Sequence, residues 1–163
     1  MIDGTLIPPV EGMMHSKIVI KGPIPDHKLK VFKDMLIVYS SLSKDPRTKV
    51  AAMILRPDLS IVSQGYNGFP AGFPDDPKYW DVRETKNALV IHAEENALSY
   101  SPSSFLNNHI LICTHYPCPR CASKIIKSGI SHVYYFNEKR VDHNCELTDE
   151  VFQRAGVSTY FIG

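Results

Sequence analysis

Hydrophobic positions along this chain follow two rhythms, and the order in which they alternate predicts an α/β fold. Over residues 29–42, apolar side chains recur at Leu29, Phe32, Leu36, Val38, Tyr39 and Leu42, close to the period of an amphipathic helix. Ser43-Lys44-Asp45-Pro46 ends that helix. Residues 50–55 and 60–66 read as short strands, and Arg56-Pro57-Asp58 between them has turn chemistry, so together they predict a hairpin. Further on, the pattern predicts a helix over 88–100, a buried strand over 110–114 and a helix over 118–128 stopped by Gly129. A strand over 133–136 follows, then a helix over 149–155 with Thr148 as its N-cap and Gly156 as its stop, and a last strand over 158–162. Strands joined through helices by short links pair in parallel, through right-handed crossovers. With the hairpin added, the expected fold is a three-layer α/β/α sandwich around one mixed five-stranded sheet.

Two segments show neither rhythm. Residues 1–26 are punctuated by proline and read as an N-terminal arm, either a disordered tail or a strap packed on a neighbouring subunit, ahead of a catalytic domain at 27–163. The second segment starts with the glycine-rich run GYNGFPAG at 65–72 and extends to about Thr85. It reads as a long irregular excursion, and loops of that length inside compact domains are usually functional or disordered.

Composition narrows the setting. A chain of 163 residues is one domain by the usual prior. Its 18 Lys+Arg against 17 Asp+Glu give a net charge of +1, with no basic run to track a nucleic-acid backbone, so a polynucleotide substrate is not expected. No apolar stretch has membrane-spanning length and no leader pattern stands at the start, which together predict a cytoplasmic protein without a membrane partner. Cys113 in an apolar strand and Cys145 in a polar loop make no disulfide framework, as expected of a reducing compartment.

The candidate chemistry lies in His92-Ala93-Glu94 and Pro117-Cys118-Pro119-Arg120-Cys121. An imidazole and two thiolates bind Zn²⁺ well, and three protein ligands leave a fourth position open to water, as catalytic sites do. Cys118 and Cys121 at i, i+3 fall on one face of a helical turn, and the prolines suit a helix start, where the dipole favours thiolates. Glu94, two residues from a ligand, is not needed as a ligand itself and is placed to carry protons. Alone, a CxxC pair is as often redox-active or part of a structural zinc site, and a lone HxE is usually a bare helix surface. In the order H-x-E and then P-C-x-x-C, they form the signature of zinc-dependent nucleobase deaminases.

Four stretches extend that likeness over residues 29–162: Ser43-Lys44-Asp45-Pro46, GYNGFPAG at 65–72 with Asp75-Asp76 beyond it, HAEENAL at 92–98, and the run from Thr114 to Ile130. On these the chain resembles the deoxycytidylate (dCMP) deaminases, phage and viral ones included, of the cytidine deaminase-like superfamily. The resemblance implies hydrolysis of dCMP to dUMP and ammonia, feeding thymidylate synthesis, with His92, Cys118 and Cys121 on one catalytic Zn²⁺ and Glu94 as the proton shuttle. It implies further that the backbone amide of Ala93 holds the pyrimidine carbonyl and that Asn67 contacts the sugar hydroxyl, unless Asn67 is merely a left-handed turn residue. Arg47 and Lys139 are the candidates for the monophosphate, and Tyr116 for stacking on the base or lining the wall. The family is typically hexameric and regulated by dCTP and dTTP, which implies a homohexamer and an effector site at Gly65, Asn67, Gly68 and Gly72, with Mg²⁺ accompanying the triphosphate. Ala51 and Lys49 depart from the Gly and Gln common in relatives, and residues 73–87 carry no Cys or His for a second zinc. Two other readings stay open: a deaminase of another cytosine nucleotide, such as dCTP or a 5-substituted dCMP, and a zinc-stabilised interaction module without catalysis.

Overall fold

In a computed structural model, described over residues 22–137, 139 and 141–163, the chain runs through α1 (Asp26–Ser40), β1 (Ala51–Leu55), β2 (Ile61–Tyr66), α2 (Pro77–Asp81), α3 (Arg83–Leu89) and α4 (Ala93–Ser99). It continues through β3 (Ile110–Cys113), α5 (Pro119–Ser128), β4 (His132–Tyr135), α6 (His143–Ala155) and β5 (Ser158–Phe161). The five strands form one sheet in the order β2-β1-β3-β4-β5. β1 is antiparallel to β2 and β3, whereas β3, β4 and β5 run parallel. This is the mixed sheet that the sequence predicts.

Alternation along the strands builds both outer layers, because successive side chains point to opposite faces. Ala51, Met53 and Leu55 of β1 and Ile110 and Ile112 of β3 face α1, where Leu36 is buried with Ile24 and Tyr134. Ala52, Ile54, Leu111, Cys113 and Val133 face the other way and meet Ala93 and Ala97 of α4, Ala122 and Ile125 of α5, and Phe152 of α6. β1 and β3 are apolar throughout because both their faces are covered.

Several elements differ from expectation. Residues 1–21 of the expected arm lie outside the described residues, while its end belongs to the core: Ile24 is buried and its N–H donates to the Tyr134 hydroxyl at 3.3 Å. Val38 and Leu42, assigned to the buried stripe of the first helix, are exposed instead. The excursion after the glycine loop is not structureless. Asp76 caps α2 by accepting from the Lys78 N–H at 3.0 Å, Pro77 takes the first helical turn where proline is tolerated, and Phe69 stacks on Trp80 with ring centroids 4.0 Å apart. The expected helix over 88–100 is broken at Val90-Ile91, where Ile91 exchanges backbone hydrogen bonds with Gly68 at 2.9 and 3.1 Å and leaves His92 as the N-cap of α4. α6 starts at His143 under an Asp142 cap, so Cys145 lies in that helix and not in a loop. Thr148, the expected cap, is buried mid-helix and donates to the Pro117 carbonyl at 3.2 Å.

Gly65 shows how tightly the sheet carries the site. A Cβ at this position would stand 2.4 Å from both the Ala93 carbonyl oxygen and the Ala97 nitrogen, inside the backbone of α4. Gly65→Ala is therefore expected to push α4 off β2, lowering stability by about 1–3 kcal/mol. Thermal unfolding compared with turnover measures it: a variant that melts and turns over like the wild type would show that α4 has slack the packing denies.

Candidate functional site

Cys118 is the N-cap of α5, with Pro119 following it, and Cys121 lies in the first turn; His92 holds the same place on α4. These helix starts meet above the sheet. Cys118 Sγ lies 3.5 Å and Cys121 Sγ 3.4 Å from His92 Nδ1, and the three donor atoms all fall within 4.8 Å of one another. Donors at about 2.3 Å (sulfur) and about 2.0 Å (nitrogen) from a tetrahedral Zn²⁺ stand roughly 3.5–3.8 Å apart, so the cluster fits that ion in both kind and spacing. Hydrogen bonds from the Cys121 thiol and then from His92 hold the Cys118 thiol down at about 4, whereas sharing with Cys118 and burial push Cys121 up. One thiolate is thus ready for a metal, and the second proton leaves when a metal binds.

Glu94, only 4% exposed, follows one residue beyond Ala93. Burial pushes its carboxyl up to about 7, where it can both accept and return a proton near neutral pH. Its neighbour Glu95 has a different task, which the sequence reading missed. Glu95 accepts from the His92 N–H at 2.9 Å and from Arg120 of α5 at 2.9 Å, and it also pairs with Lys124. Burial would raise its pKa, but Lys124, the His92 N–H and Arg120 together hold it below the usual carboxylate range. Glu95 therefore ties the two ligand-bearing helices to each other. The signal was a carboxylate three residues after a cap position, disguised by having His instead of Ser or Thr at the cap.

A cavity of about 400 Å³ opens beside the cluster, walled by His92, Ala93, Glu94, Tyr116 and Cys118 at one part and by Asp45, Thr48, Asn67 and Lys86 at another. Ala93 is the first residue of α4, so its N–H has no acceptor within the helix. Tyr116 stands in the wall, tethered through its hydroxyl to Asp149 and packed on Tyr135 with centroids 4.7 Å apart. Lys139 also lines the cavity, paired with Asp149 and 5.2 Å from the Tyr116 ring centroid. Arg47 is not in the wall. Its side chain is 61% exposed and its guanidinium lies 3.4 Å from Asp81.

Asn67 is no left-handed turn residue; among the described non-glycine residues positive φ occurs at Leu59 and Asn108. Its Oδ1 accepts from the Val50 N–H at 2.8 Å, and its Nδ2 donates to the Thr48 carbonyl at 2.9 Å and to Asp45 Oδ2 at 3.2 Å. Asp45, 1% exposed, also accepts from the Arg47 and Thr48 N–H groups and from Lys86 Nζ at 2.6 Å. Burial works against its charge, yet Lys86 and the two backbone donors hold its carboxyl below the usual range. Sequence reasoning saw Asp45 only as part of a motif and gave Lys86 no role, because a lysine beside a helix looks like solvated charge. Of the proposed effector residues, Gly65 is occupied in packing against α4, while Gly68 and Gly72 border open space, Gly72 with φ +85°. Lys49 does not line the cavity but donates to the Ser41 and Ser43 carbonyls at 3.3 and 2.6 Å, holding the chain after α1.

A cluster of three metal donors, one short of a tetrahedral set, beside a carboxyl able to carry protons and a cavity of about 400 Å³, fits a hydrolytic metal site better than a structural one. The chain belongs to the cytidine and deoxycytidylate deaminase family, whose zinc-binding region matches residues 27–137. It is 38% identical over 138 residues to an uncharacterized deaminase of the luxG 3' region of Aliivibrio fischeri, covering 82% of this chain and 92% of that one. Human deoxycytidylate deaminase is 34% identical over 134 residues, covering 78% and 75%. The crystal structure of dCMP deaminase from the cyanophage S-TIM5, in complex with dCMP and dUMP, superimposes with a TM-score of 0.70 at 29% identity, covering 85% of this chain and 99% of the phage chain. Some other relatives are longer, and the chain spans about half their length.

Proposed function

We propose that this chain is a zinc-dependent deoxycytidylate deaminase, converting dCMP and water into dUMP and ammonia. The likeness to a phage dCMP deaminase over 99% of its length, in a structure holding dCMP and dUMP, is the observation that carries the choice of substrate. His92, Cys118 and Cys121 would hold one Zn²⁺, which when bound makes water acidic enough to supply a nucleophile near pH 7.

The remaining work falls to the chain's own residues. Glu94 takes the proton that water gives up, passes it to N3 of cytosine, and carries a second proton to the departing amine. A C4–O bond forms and the C4–N bond breaks, so ammonia leaves and the carbonyl of uracil remains. The Ala93 N–H, unspent within α4, holds the pyrimidine carbonyl, and Tyr116 lies against the base. Asn67 meets the sugar. Lys139, on the cavity wall, is favoured over Arg47 for the monophosphate, since Arg47 points away to Asp81.

Regulation and assembly extend the reading. The open sides of Gly68 and Gly72 leave room for a triphosphate effector, dCTP or dTTP with Mg²⁺, beside Asn67, whereas Gly65 is packed under α4 and stands outside that rim. Val31, Ile37 and Val38 on α1, Leu42 just beyond its end and Ile61 on the edge strand β2 are exposed, and exposed apolar side chains in that number support burial against further copies, here a hexamer. Among the described residues no helix is long and apolar enough to cross a membrane, which accords with a cytoplasmic enzyme.

Ammonia release by the zinc-loaded protein, given dCMP, dCTP, 5-methyl-dCMP and deoxycytidine in parallel with and without dCTP or dTTP as effector, tests the reading. dCMP should be turned over in strong preference to deoxycytidine. Lys139→Ala should lower kcat/KM for dCMP roughly 10–100-fold, the worth of a hydrogen bond to a charged group, and leave deoxycytidine unchanged. Equal use of the nucleoside, or preference for dCTP as substrate, would sink the monophosphate assignment.

A further inference from the structure

Hydrogen-bond capacity in the Asp45–Asn67–Lys86 cluster picks out the kind of group that can dock there. A carboxylate has about four acceptor sites, and Asp45 has filled as many: Oδ1 with the Arg47 and Thr48 N–H groups, Oδ2 with Lys86 and Asn67. Both Asn67 amide protons are committed, to Asp45 and to the Thr48 carbonyl. Its Oδ1 has accepted one bond, from Val50, and keeps a second lone pair. Lys86 has three N–H donors and, among the described residues, one hydrogen-bonded acceptor, Asp45, with the Trp80 ring 5.8 Å away on another side. Toward the cavity, therefore, this cluster offers one acceptor and one charged donor side by side, since the Asn67 amide and the Lys86 ammonium share the same Asp45 oxygen.

A group that both gives and takes a hydrogen bond at one atom satisfies that pair, and a hydroxyl is such a group. A phosphate, all acceptors, would face the Asn67 oxygen and the Asp45 carboxylate with nothing to offer them. We infer that Lys86 is a specificity-determining residue that donates to the substrate's 3′-hydroxyl while that hydroxyl donates to Asn67 Oδ1. The inference rests on the dCMP reading, because dCMP carries a single hydroxyl. It is consistent with the layout: Gly68, next to Asn67, is bonded to Ile91, next to His92, so the hydroxyl pair and the metal cluster are held by one backbone bridge. Lys86 is 18% exposed, so it is largely shielded from competing water.

The test compares dCMP with 2′,3′-dideoxycytidine monophosphate, which lacks only that hydroxyl, on zinc-loaded protein. Wild type should favour dCMP in kcat/KM by about 10–100-fold, and Lys86→Met should shrink that preference about 10-fold. Should Lys86→Met fail to fold around an unpaired Asp45, the double variant Asp45→Asn/Lys86→Met removes the buried charge and is read with the same two substrates. If both substrates lose activity by one factor and the preference survives, Lys86 merely holds Asp45, and the inference falls while the dCMP reading stands. A wild type that does not distinguish the two substrates overturns it equally. A wild type that turns over neither brings down the dCMP reading and the inference with it.

Discussion

Glu94→Gln is expected to lower kcat for dCMP by roughly 10²–10⁴-fold, the usual worth of a positioned proton carrier, while the protein keeps one zinc per chain. The two effects separate because Glu94 is not among the three clustered donors, and an amide of the same shape fills its buried site without adding charge. The amide cannot accept a proton from water or return it to the pyrimidine. Zinc content by atomic absorption and single-turnover assays read the two quantities independently. Retained turnover would mean that another group moves the proton; lost zinc would mean that Glu94 helps to hold the metal.

Cys121→Ser is expected to have the second large effect, and of the opposite kind: zinc falls well below one per chain, turnover drops to background and thermal unfolding shifts downward. Cys121 is fully buried in the core beneath the cluster and lies 3.4 Å from His92 Nδ1. A serine hydroxyl is a poor zinc ligand at neutral pH, and metal affinity that draws on a folded site is also folding free energy. The measurement is zinc stoichiometry beside a melting curve, with and without a chelator on the wild type. Full zinc and activity in Cys121→Ser would show that two ligands suffice and would remove this cysteine from the centre.

The framework of the fold was readable because strands and long helices write their burial into local periodicity. β1 and β3 are apolar on both faces, and the glycines at 129 and 156 stop helices through left-handed φ values of +87° and +73°. The errors have one character. Val90 and Ile91 look helical within their own window, yet pairing with Gly68 draws them extended, and that break is what puts His92 at a helix start. α6 was cut short because its first turn is polar and its cap, Asp142, precedes the apolar residues by several positions.

The His92, Cys118 and Cys121 cluster and the carboxyl beside it were likewise legible, since thiolate, imidazole and carboxylate chemistry belongs to residue types at close spacing. Asp45, Lys86 and Glu95 were not. Asp45 and Lys86 are 41 positions apart in the numbering and meet only because the link between α1 and β1 and helix α3 converge on one wall, where burial turns an ordinary ion pair into a fixed hydrogen-bonded cluster. The sequence by itself determined the class of fold and singled out His92, Cys118, Cys121 and Glu94 as the candidate chemistry, all of which depend on local pattern and intrinsic chemistry. Tertiary structure alone decided which polar groups spend their hydrogen bonds on one another and which keep capacity facing the cavity, because that depends on distances between segments that no local period records.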